Sequence, residues 1–371
     1  MSLYLFLLRI MNRLRARFNG YDLYQAGIPY YPGNFTRDSI ISAILMQNPE
    51  MLRQQLSFCA ERQGKKKSPY SGEEPGKIFH EYPPVKKRKS STEYNACDSS
   101  AFFLIGHEVY QRLTGDKKFA ETYEKNIIRA VDYIEAHLRQ YAFIEDPKLS
   151  GSGRFALKVT YWKESEIFGR KNGEPVYPVI YTLAHVQNMR ALRSASFLLE
   201  KKELEQLVSK MNKYLMRHLF NKKTGAFYLA IDQEGPIGAI SSDQLHALFY
   251  LDVRDIEPEC VEQIVESSSV LETTAGYRTL CEECAALVQD KYHAKTVWPF
   301  EQAIINIGAR RFGLDHVIRV SSRITQWLDT DPEIVILEGK GFRKAGCDPL
   351  LLSIAAKTYF KAPRSEPQTP C

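Results

Sequence analysis

The chain has 371 residues, of which 44% are apolar, 12% aromatic and 25% charged, and its formal net charge is +6. This composition excludes a disordered or fibrous protein and describes a globular chain that can bury a substantial core. A net charge of +6 is small for this length, so no nucleic-acid partner is predicted.

Seven cysteines are scattered along the chain. An odd number without regular spacing, and without a secretory signal ahead of it, favours reduced thiols, so we expect a cytoplasmic protein. Cys281 and Cys284 have the spacing of half a zinc site, but no second pair follows at a matching distance. They fall one turn apart in a helical pattern, which favours helix packing. Neither a metal nor an organic cofactor is predicted.

Apolar residues recur at helical spacing near the start of the chain and predict an amphipathic first helix over residues 1–20. The apolar stretch from Leu3 to Leu8 is too short to span a bilayer, and its arginines follow it rather than precede it. Membrane association is therefore not expected, with attachment to a membrane surface as the alternative.

Helical periodicity dominates the rest of the chain. We predict twelve helices, at residues 3–18, 37–48, 50–62, 98–114, 117–139, 177–199, 202–218, 241–251, 258–269, 298–312, 315–328 and 349–360. This count fits a toroid of six helical hairpins or an α-solenoid. Because no sequence repeat is visible, the toroid is preferred, as one all-α domain over residues 1–362 followed by a disordered tail at 363–371.

Two long loops interrupt the helices, at residues 63–96 and 140–176. Loops of this length in a compact domain are usually functional or disordered. The first contains a basic run from Val85 to Ser90, which is typical of a polyanion-binding patch or, more simply, of solvated lysines.

A turn rich in glycine and proline leads through Tyr31 into the adjacent pair Arg37 and Asp38 at the start of a helix. Sugar hydroxyls both donate and accept hydrogen bonds, so an Arg-Asp pair can bind two neighbouring hydroxyls while an aromatic ring covers the C–H face. The alternative is that Asp38 only caps the helix.

Two carboxylates occur in separate segments, Glu164 two residues after Trp162 and Glu333 after Pro332. Hydrolysis of a glycosidic bond needs an acid to protonate the leaving oxygen and a base to activate water, beside apolar faces on which sugars stack. The sequence therefore predicts a glycoside hydrolase.

Four further residues are weaker candidates for the same site, namely His80, Glu81, Asp98 and Trp298. Each has a structural alternative. A lone histidine is more often structural, an aspartate at a helix start can be an N-cap, and a tryptophan is usually part of the core.

Taken in order, these motifs resemble the amylo-α-1,6-glucosidase catalytic domain of glycogen-debranching enzymes, within the glucoamylase-like group of six-hairpin glycosidases. The resemblance covers residues 26–360. Its motifs are Gly27 to Asp38, Gly76 to Glu81, Asp98-Ser99, Tyr161 to Ser165, Gly173 to Tyr177, Val297 to Pro299, Pro332-Glu333 and Gly346 to Pro349 with Ser353 to Ala356.

The resemblance implies an (α/α)6 barrel with a pocket built from loops at one end, and an inverting mechanism. It places the general acid on Glu164 and the general base on Glu333. The remaining matched positions would grip the terminal glucose or line the pocket, and they are Arg37, Asp38, His80, Glu81, Asp98 and Trp298. For these roles, we expect an apolar setting to raise the pKa of Glu164, and Glu333 to stay ionised.

Two departures from the family pattern keep alternatives open. Glu164 stands where relatives carry aspartate, which makes Glu166 a reserve acid, and Leu350 to Leu352 replace a Gln-Trp wall. Glu338 is a reserve base. The leading hypothesis is an inverting exo-acting enzyme that releases glucose from α-glucosidic, most plausibly α-1,6, linkages of an oligosaccharide or polysaccharide. The alternatives are a trehalase-like or kojibiose-like enzyme of the same barrel and a catalytically impaired carbohydrate-binding protein.

Overall fold

The structure is a computed structural model that describes residues 11–338 and 341–362. Thirteen α-helices begin and end within these residues, and their bounds are α1 Thr36–Leu45, α2 Pro49–Glu61, α3 Ser99–Thr114, α4 Lys117–Thr122, α5 Glu124–Ala136, α6 Thr182–Leu199, α7 Lys202–Tyr214, α8 Asp243–Ala247, α9 Pro258–Ser267, α10 Glu282–Leu287, α11 Pro299–Arg311, α12 Asp315–Ser322 and α13 Leu351–Lys361.

Six of these helices form a closed inner ring. The order of contacts is α1, α3, α6, α8, α11 and α13, and α13 packs back against α1. Inner helices carry apolar or small side chains around most of their circumference, because every side of the helix faces protein. In α6, for example, His185, Asn188 and Arg190 are buried together with the apolar residues.

The helices that alternate with the ring in sequence lie outside it and are amphipathic. Helix α7 buries only Leu204, Val208 and Met211, which recur at i, i+4 and i+7. That spacing gives one apolar stripe toward the ring and leaves the opposite face to solvent. The buried side chains of both layers form one large hydrophobic cluster. The prediction of an all-α (α/α)6 barrel is confirmed.

Short strands connect the helices, and none in the described residues exceeds five residues. They are β1 Arg15–Phe18, β2 Tyr21–Tyr24, β3 Asn34–Phe35, β4 Glu81–Tyr82, β5 Leu138–Arg139, β6 Ala142–Phe143, β7 Ile180–Tyr181, β8 Phe220–Asn221, β9 Ala226–Phe227, β10 Ala230–Asp232, β11 Gly235–Ile237, β12 Glu272–Thr273, β13 Gly276–Tyr277, β14 Thr296–Val297, β15 Ile334–Glu338 and β16 Gly341–Ala345. Antiparallel pairing of β3 with β4, and of β14 with β15 and β16, positions the site described below.

The predicted first helix is confirmed at residues 11–14, which are helical, and is wrong from Arg15 on. Residues Arg15–Phe18 form a strand that pairs antiparallel with Tyr21–Tyr24. The turn between them is Asn19-Gly20, with φ of +46° and +89°. Asn-Gly favours such two-residue hairpin turns because both positions need positive φ, and this local signal outweighs the helical spacing. Residues 1–10 and the predicted tail at 363–371 lie outside the described residues.

Candidate active site

The amino-terminal ends of the inner helices meet at one end of the barrel. Arg37 and Asp38 begin α1, Asp98 precedes α3, and Trp298 precedes α11. Tyr181 precedes α6 and stacks on Tyr161, with ring centroids 4.7 Å apart. Helix amino termini carry partial positive charge, so this end of the barrel favours carboxylates and other electron-rich groups.

A cavity of about 210 Å³ opens at this end. Its lining combines ionisable groups with an aromatic and aliphatic wall, and consists of Ala26, Tyr31, Phe35, Arg37, Asp38, Trp162, Glu164, Ser165, Tyr292, His293, Trp298, Phe300, Glu333, Leu350 and Leu352. Sites for drug-sized ligands typically measure about 300–1,000 Å³. This cavity is smaller, and its size suits one monosaccharide ring better than an internal segment of a chain.

Glu164 is held by two cationic side chains on one of its oxygens. The guanidinium Nη1 of Arg37 donates to Glu164 Oε1 over 2.7 Å, and His80 Nε2 lies 2.9 Å from the same oxygen. Arg37 is itself fixed from behind, because its Nε and Nη2 donate to the two oxygens of Asp98 at 2.9 and 3.0 Å. Asp98 therefore orients the guanidinium and does not line the cavity.

Antiparallel pairing of β3 and β4 explains how the histidine reaches this group. Phe35 pairs with Glu81, and the amide of Thr36 donates to the carbonyl of His80 over 2.9 Å. The imidazole therefore lies next to the start of α1, with the ring of Phe35 edge-on to it at 5.3 Å.

The electrostatic setting of Glu164 is opposite to the one expected from sequence. Burial alone would raise the pKa of Glu164, but the charges of His80 and Arg37, together with their hydrogen bonds, outweigh it and lower the pKa to about 2. The same pairing raises the pKa of His80 against its own desolvation. Glu164 is therefore ionised among these partners, and the expectation of a raised pKa is wrong.

The segment that carries Glu164 is anchored by one buried carboxylate. Asp243, in the first turn of α8, accepts hydrogen bonds from the hydroxyl of Tyr161 at 3.0 Å and the indole nitrogen of Trp162 at 2.8 Å. The ammonium of Lys163 lies 3.0 Å from Asp243 Oδ1. Three consecutive side chains converge on this carboxylate, which fixes the backbone immediately before Glu164.

An aromatic wall stands beside the carboxylates. The rings of Trp162 and Trp298 meet edge to face at 5.9 Å, and His293 stacks on Trp298 at 4.9 Å. Burial lowers the pKa of His293 to about 3, so this imidazole is neutral, and its Nδ1 lies 2.9 Å from the hydroxyl of Ser165. Such faces suit the C–H surface of a sugar ring.

Glu333 enters the cavity from the short sheet that also positions Trp298. Val335 pairs with Val297, so the residues that flank these strands lie close together. The backbone N–H of Cys347 donates to Glu333 Oε2 over 2.7 Å, and the hydroxyl of Tyr292 donates to Oε1.

The neighbouring Gly346 has a φ of +77°, and a Cβ at that position would lie 2.2 Å from Glu333 Oε2. Glycine is therefore needed for the carboxylate to approach the backbone this closely.

Two other carboxyls of the cavity have raised pKa values. Burial is the main cause at Glu333, where it raises the pKa to about 7 with a smaller contribution from the negative charge of Asp38. Burial also raises the pKa of Asp38 to about 6, although the charge of Arg37 opposes it. Glu333 is thus only partly ionised at neutral pH, which differs from the expectation that it stays ionised.

The structure brings together most of the residues predicted from sequence. Seven of them line the cavity, namely Tyr31, Arg37, Asp38, Trp162, Glu164, Trp298 and Glu333. His80 and Asp98 lie directly behind this lining. Glu81 is buried away from it and accepts a hydrogen bond from Thr92.

The two reserve candidates lie elsewhere. Glu166 accepts from the backbone amides of Gln289 and Asp290, both at 3.1 Å, and Glu338 is exposed and pairs with Arg343. Neither carboxylate lines the cavity.

Sequence reasoning missed several members of the site, above all Tyr292, Asp243 and Phe300. Tyr292 connects Glu333 with Tyr31, whose hydroxyl lies 3.0 Å from that of Tyr292. Its position shortly before Trp298 was the only available signal. Nothing in the sequence around Asp243 indicated its role, because its three partners lie about 80 residues away.

One group of side chains in the described residues has the spacing of metal ligands, formed by Asp243, His246 and Glu301. The ammonium of Lys163 already sits against Asp243 at 3.0 Å. A metal ion there would meet this positive charge at close range, so we assign none.

Known structures share this fold. A GH63 mannosylglycerate hydrolase from Thermus thermophilus, in complex with Tris and D-glycerate, aligns with a TM-score of 0.69 at 12% identity over 97% of this chain and 100% of its own. The same hydrolase in complex with glucose gives 0.68. Neutral trehalase Nth1 from Saccharomyces cerevisiae gives 0.62 at 10% identity over 92% of this chain and 73% of its own.

These alignments place the chain in the six-hairpin fold of several glycosidases. At the level of sequence, no protein-family model and no curated protein matches it. Among the described residues, no helix has the length and apolar character needed to cross a membrane.

Proposed function

We propose that the protein is an inverting, exo-acting glycoside hydrolase that releases glucose from α-glucosidic, most plausibly α-1,6, linkages. The observation that carries this proposal is the small cavity in which Glu164 and Glu333 both take part, walled by Trp162 and Trp298. Hydrolysis of a glycosidic bond requires a paired acid and base, and aromatic surfaces beside them can stack on the sugar. A cavity of about 210 Å³ favours removal of terminal residues.

In this mechanism Glu164 protonates the leaving oxygen and Glu333 activates water. Arg37 and His80 both contact Oε1 of Glu164, and Oε2 receives no hydrogen bond from any described residue. His80 and Glu164 together hold one proton, which rests on the imidazole while water has access to the pair. When a bound sugar excludes water, this proton moves from His80 Nε2 to Oε1 of Glu164, and rotation of the carboxyl group then turns the O–H toward the leaving oxygen, so that Glu164 is the acid.

Glu333 suits the role of base. A base works best when its pKa lies near the working pH, and burial raises that of Glu333 to about 7. Tyr292 and the amide of Cys347 hold the carboxylate in one orientation. Arg37 and Asp38 then bind sugar hydroxyls, since both line the cavity.

The proposal is tested by measuring glucose release from isomaltose, panose and a limit dextrin, with trehalose, kojibiose and mannosylglycerate in the same panel. We expect the α-1,6 substrates to be hydrolysed fastest. Trehalose or kojibiose as the best substrate would transfer the proposal to another linkage of the same chemistry. Binding of glucose with no turnover of any substrate would favour the carbohydrate-binding alternative.

A further inference from the structure

The two long loops at the cavity end carry a dense group of exposed cations. The first loop joins the end of α2 to the start of α3, and the second joins α5 to α6 and carries Glu164. Nine exposed side chains on these loops form what we call the basic face: Lys65, Lys66, Lys67, Lys86, Lys87, Arg88, Lys89, Lys148 and Arg154. These nine charges exceed the formal net charge of +6, so the rest of the chain is net negative.

The basic face is one surface, because its parts contact each other. The hydroxyl of Tyr70 donates to the carbonyl of Lys87 over 3.2 Å, which joins the two cationic turns of the first loop, residues 65–70 and 86–89. The ammonium of Lys87 donates to the carbonyl of Ala156 over 2.7 Å, which ties the first loop to the second. Gly151 of the second loop also lies against Pro69 of the first, since a Cβ at position 151 would be 3.3 Å from the proline ring.

The four carboxylates of the first loop offset this charge only in part, because none of them is exposed. Glu73 accepts from the backbone amide of Lys65 at 2.8 Å, and Glu93 pairs with Arg62 at 2.8 Å. Glu74 and Glu81 are buried. Between residues 63 and 96 the chain therefore presents mainly positive charge to solvent.

Parts of the basic face lie close to site residues in the sequence. His80, which contacts Glu164, stands between the two cationic turns of the first loop, and Val85 follows the site strand Glu81–Tyr82 after two prolines. Salt at physiological strength screens exposed charges beyond about 8 Å, so such a group acts on ligands that lie directly on it.

We propose that the basic face binds an anionic glycan, a carbohydrate chain that carries sulfate, phosphate or carboxylate groups, whose terminal sugar enters the cavity. This rests on the proposed function, which supplies the sugar site. A glycan is favoured over nucleic acid because the cations sit on turns, with Tyr70 as the one exposed aromatic ring among the described residues of the two cationic turns. Single strands need a series of stacking rings, and duplex grooves are read by helices or strands.

The test measures binding of fluorescently labelled dextran sulfate to the full chain by anisotropy, with neutral dextran of equal length as the comparison. We expect dextran sulfate to bind at least about tenfold more tightly at about 50 mM salt, and this preference to shrink strongly at about 200 mM salt because the contacts are ionic. Equal affinity for the two polymers would overturn the proposal.

A charge-removal variant locates the binding surface. We expect dextran sulfate affinity to fall at least about tenfold, with an unchanged circular-dichroism spectrum, in the variant with Lys65→Gln, Lys66→Gln, Lys86→Gln, Arg88→Gln and Lys89→Gln. A matched control removes five exposed lysines in and around α7 and should stay within about twofold of wild type: Lys201→Gln, Lys202→Gln, Lys213→Gln, Lys222→Gln and Lys223→Gln. Equal losses in both variants would show that only total charge matters and would refute the basic face.

Two further readouts separate this proposal from the hydrolase proposal. Dextran sulfate should inhibit wild-type hydrolysis of a small neutral glucoside, and inhibit the first variant much less, because the proposal places one end of the bound chain in the cavity. If the wild type hydrolyses nothing, the binding results still stand and only the hydrolase proposal fails. Duplex DNA that binds as tightly as dextran sulfate would reassign the face to nucleic acid.

Discussion

The two carboxylates of the cavity, Glu164 and Glu333, have opposite electrostatic surroundings. Glu164 lies among cations, with Arg37 and His80 at 2.7 and 2.9 Å from one oxygen, and its pKa falls to about 2. Glu333 accepts hydrogen bonds from two neutral groups, a tyrosine hydroxyl and a backbone amide, lies near the negative charge of Asp38, and its pKa rises to about 7. Burial acts on both carboxyls in the same direction, so the neighbouring charges decide the difference. The side with cations stores the proton on His80, and the other side supplies a base that is poised near neutral pH.

The largest expected effect is on turnover. Glu164→Gln and Glu333→Gln should each lower kcat by about 10²–10⁴-fold, because each removes one proton transfer. Glu166→Gln and Glu338→Gln are matched controls, since both carboxylates lie outside the cavity, and they should keep kcat within a fewfold of wild type. Steady-state kinetics on the best substrate checks all four. Full activity of a cavity variant would remove that residue from the mechanism.

The two sides should also differ in their need for an acid. A leaving group such as fluoride departs without being protonated. Glu164→Gln should therefore recover most of its loss on α-glucosyl fluoride, whereas Glu333→Gln should not, since water still has to be activated. The reverse pattern would exchange the roles of the two glutamates, which is the assignment that their pKa values before substrate binding would suggest on their own.

Replacing Glu164 and replacing Glu333 should change the free energy of unfolding in opposite directions, each with its own pH dependence. The lowered pKa of Glu164 stabilises the fold above its ordinary value of 4.5, and this contribution is lost as pH falls toward about 2. Glu164→Gln should thus cost about 1–3 kcal/mol of unfolding free energy at neutral pH. Glu333 is the opposite case, because its raised pKa destabilises the fold as pH rises from 4.5 to about 7.

Glu333→Gln should accordingly be more stable than wild type by about 1–3 kcal/mol at about pH 8, and no more stable at about pH 4.5. Chemical denaturation at several pH values measures both differences. Parallel behaviour of the two variants would contradict the contrast between the two sides.

A smaller effect is expected from Asp38→Asn on the pH profile. The charge of Asp38 contributes to the raised pKa of Glu333, so its removal should shift the acid limb of kcat/KM to lower pH by less than about one unit. The loss of a charge-assisted partner for a sugar hydroxyl should lower kcat/KM itself by about tenfold or more. An unchanged kcat/KM would show that Asp38 serves only the start of α1.

The sequence was sufficient for the barrel and for seven of the fifteen residues that line the cavity, because these depend on local signals. Helical periodicity predicted α7 and most of the other outer helices, although α4 and α5 were predicted as one helix over residues 117–139 and α10 was not among the twelve predicted helices. Short motifs identified Arg37, Glu164 and Glu333. The hairpin at Asn19-Gly20 was missed because the apolar spacing before it was extended one turn too far. A stronger weight on the Asn-Gly turn would have ended the first helix earlier.

The pKa shifts of the site carboxylates could not be predicted from local sequence signals. Trp162 beside Glu164 suggested an apolar setting, but Arg37 arrives from 127 positions earlier in the chain and reverses the shift. Tyr292 reaches Glu333 from 41 positions away, and Asp243 reaches Trp162 from 81. Such contacts follow from closure of the helical ring, which no local pattern encodes.

The stereochemistry of the first product tests the central claim most directly. An inverting enzyme leaves room for a water molecule between the base and the sugar, so the carboxyl groups of Glu164 and Glu333 should lie about 6.5–9.5 Å apart when the substrate is bound. Proton NMR during hydrolysis of an α-glucoside should show β-glucose first, with α-glucose appearing only by mutarotation. Initial release of α-glucose would contradict the inverting mechanism and require one of these carboxylates to act as a nucleophile.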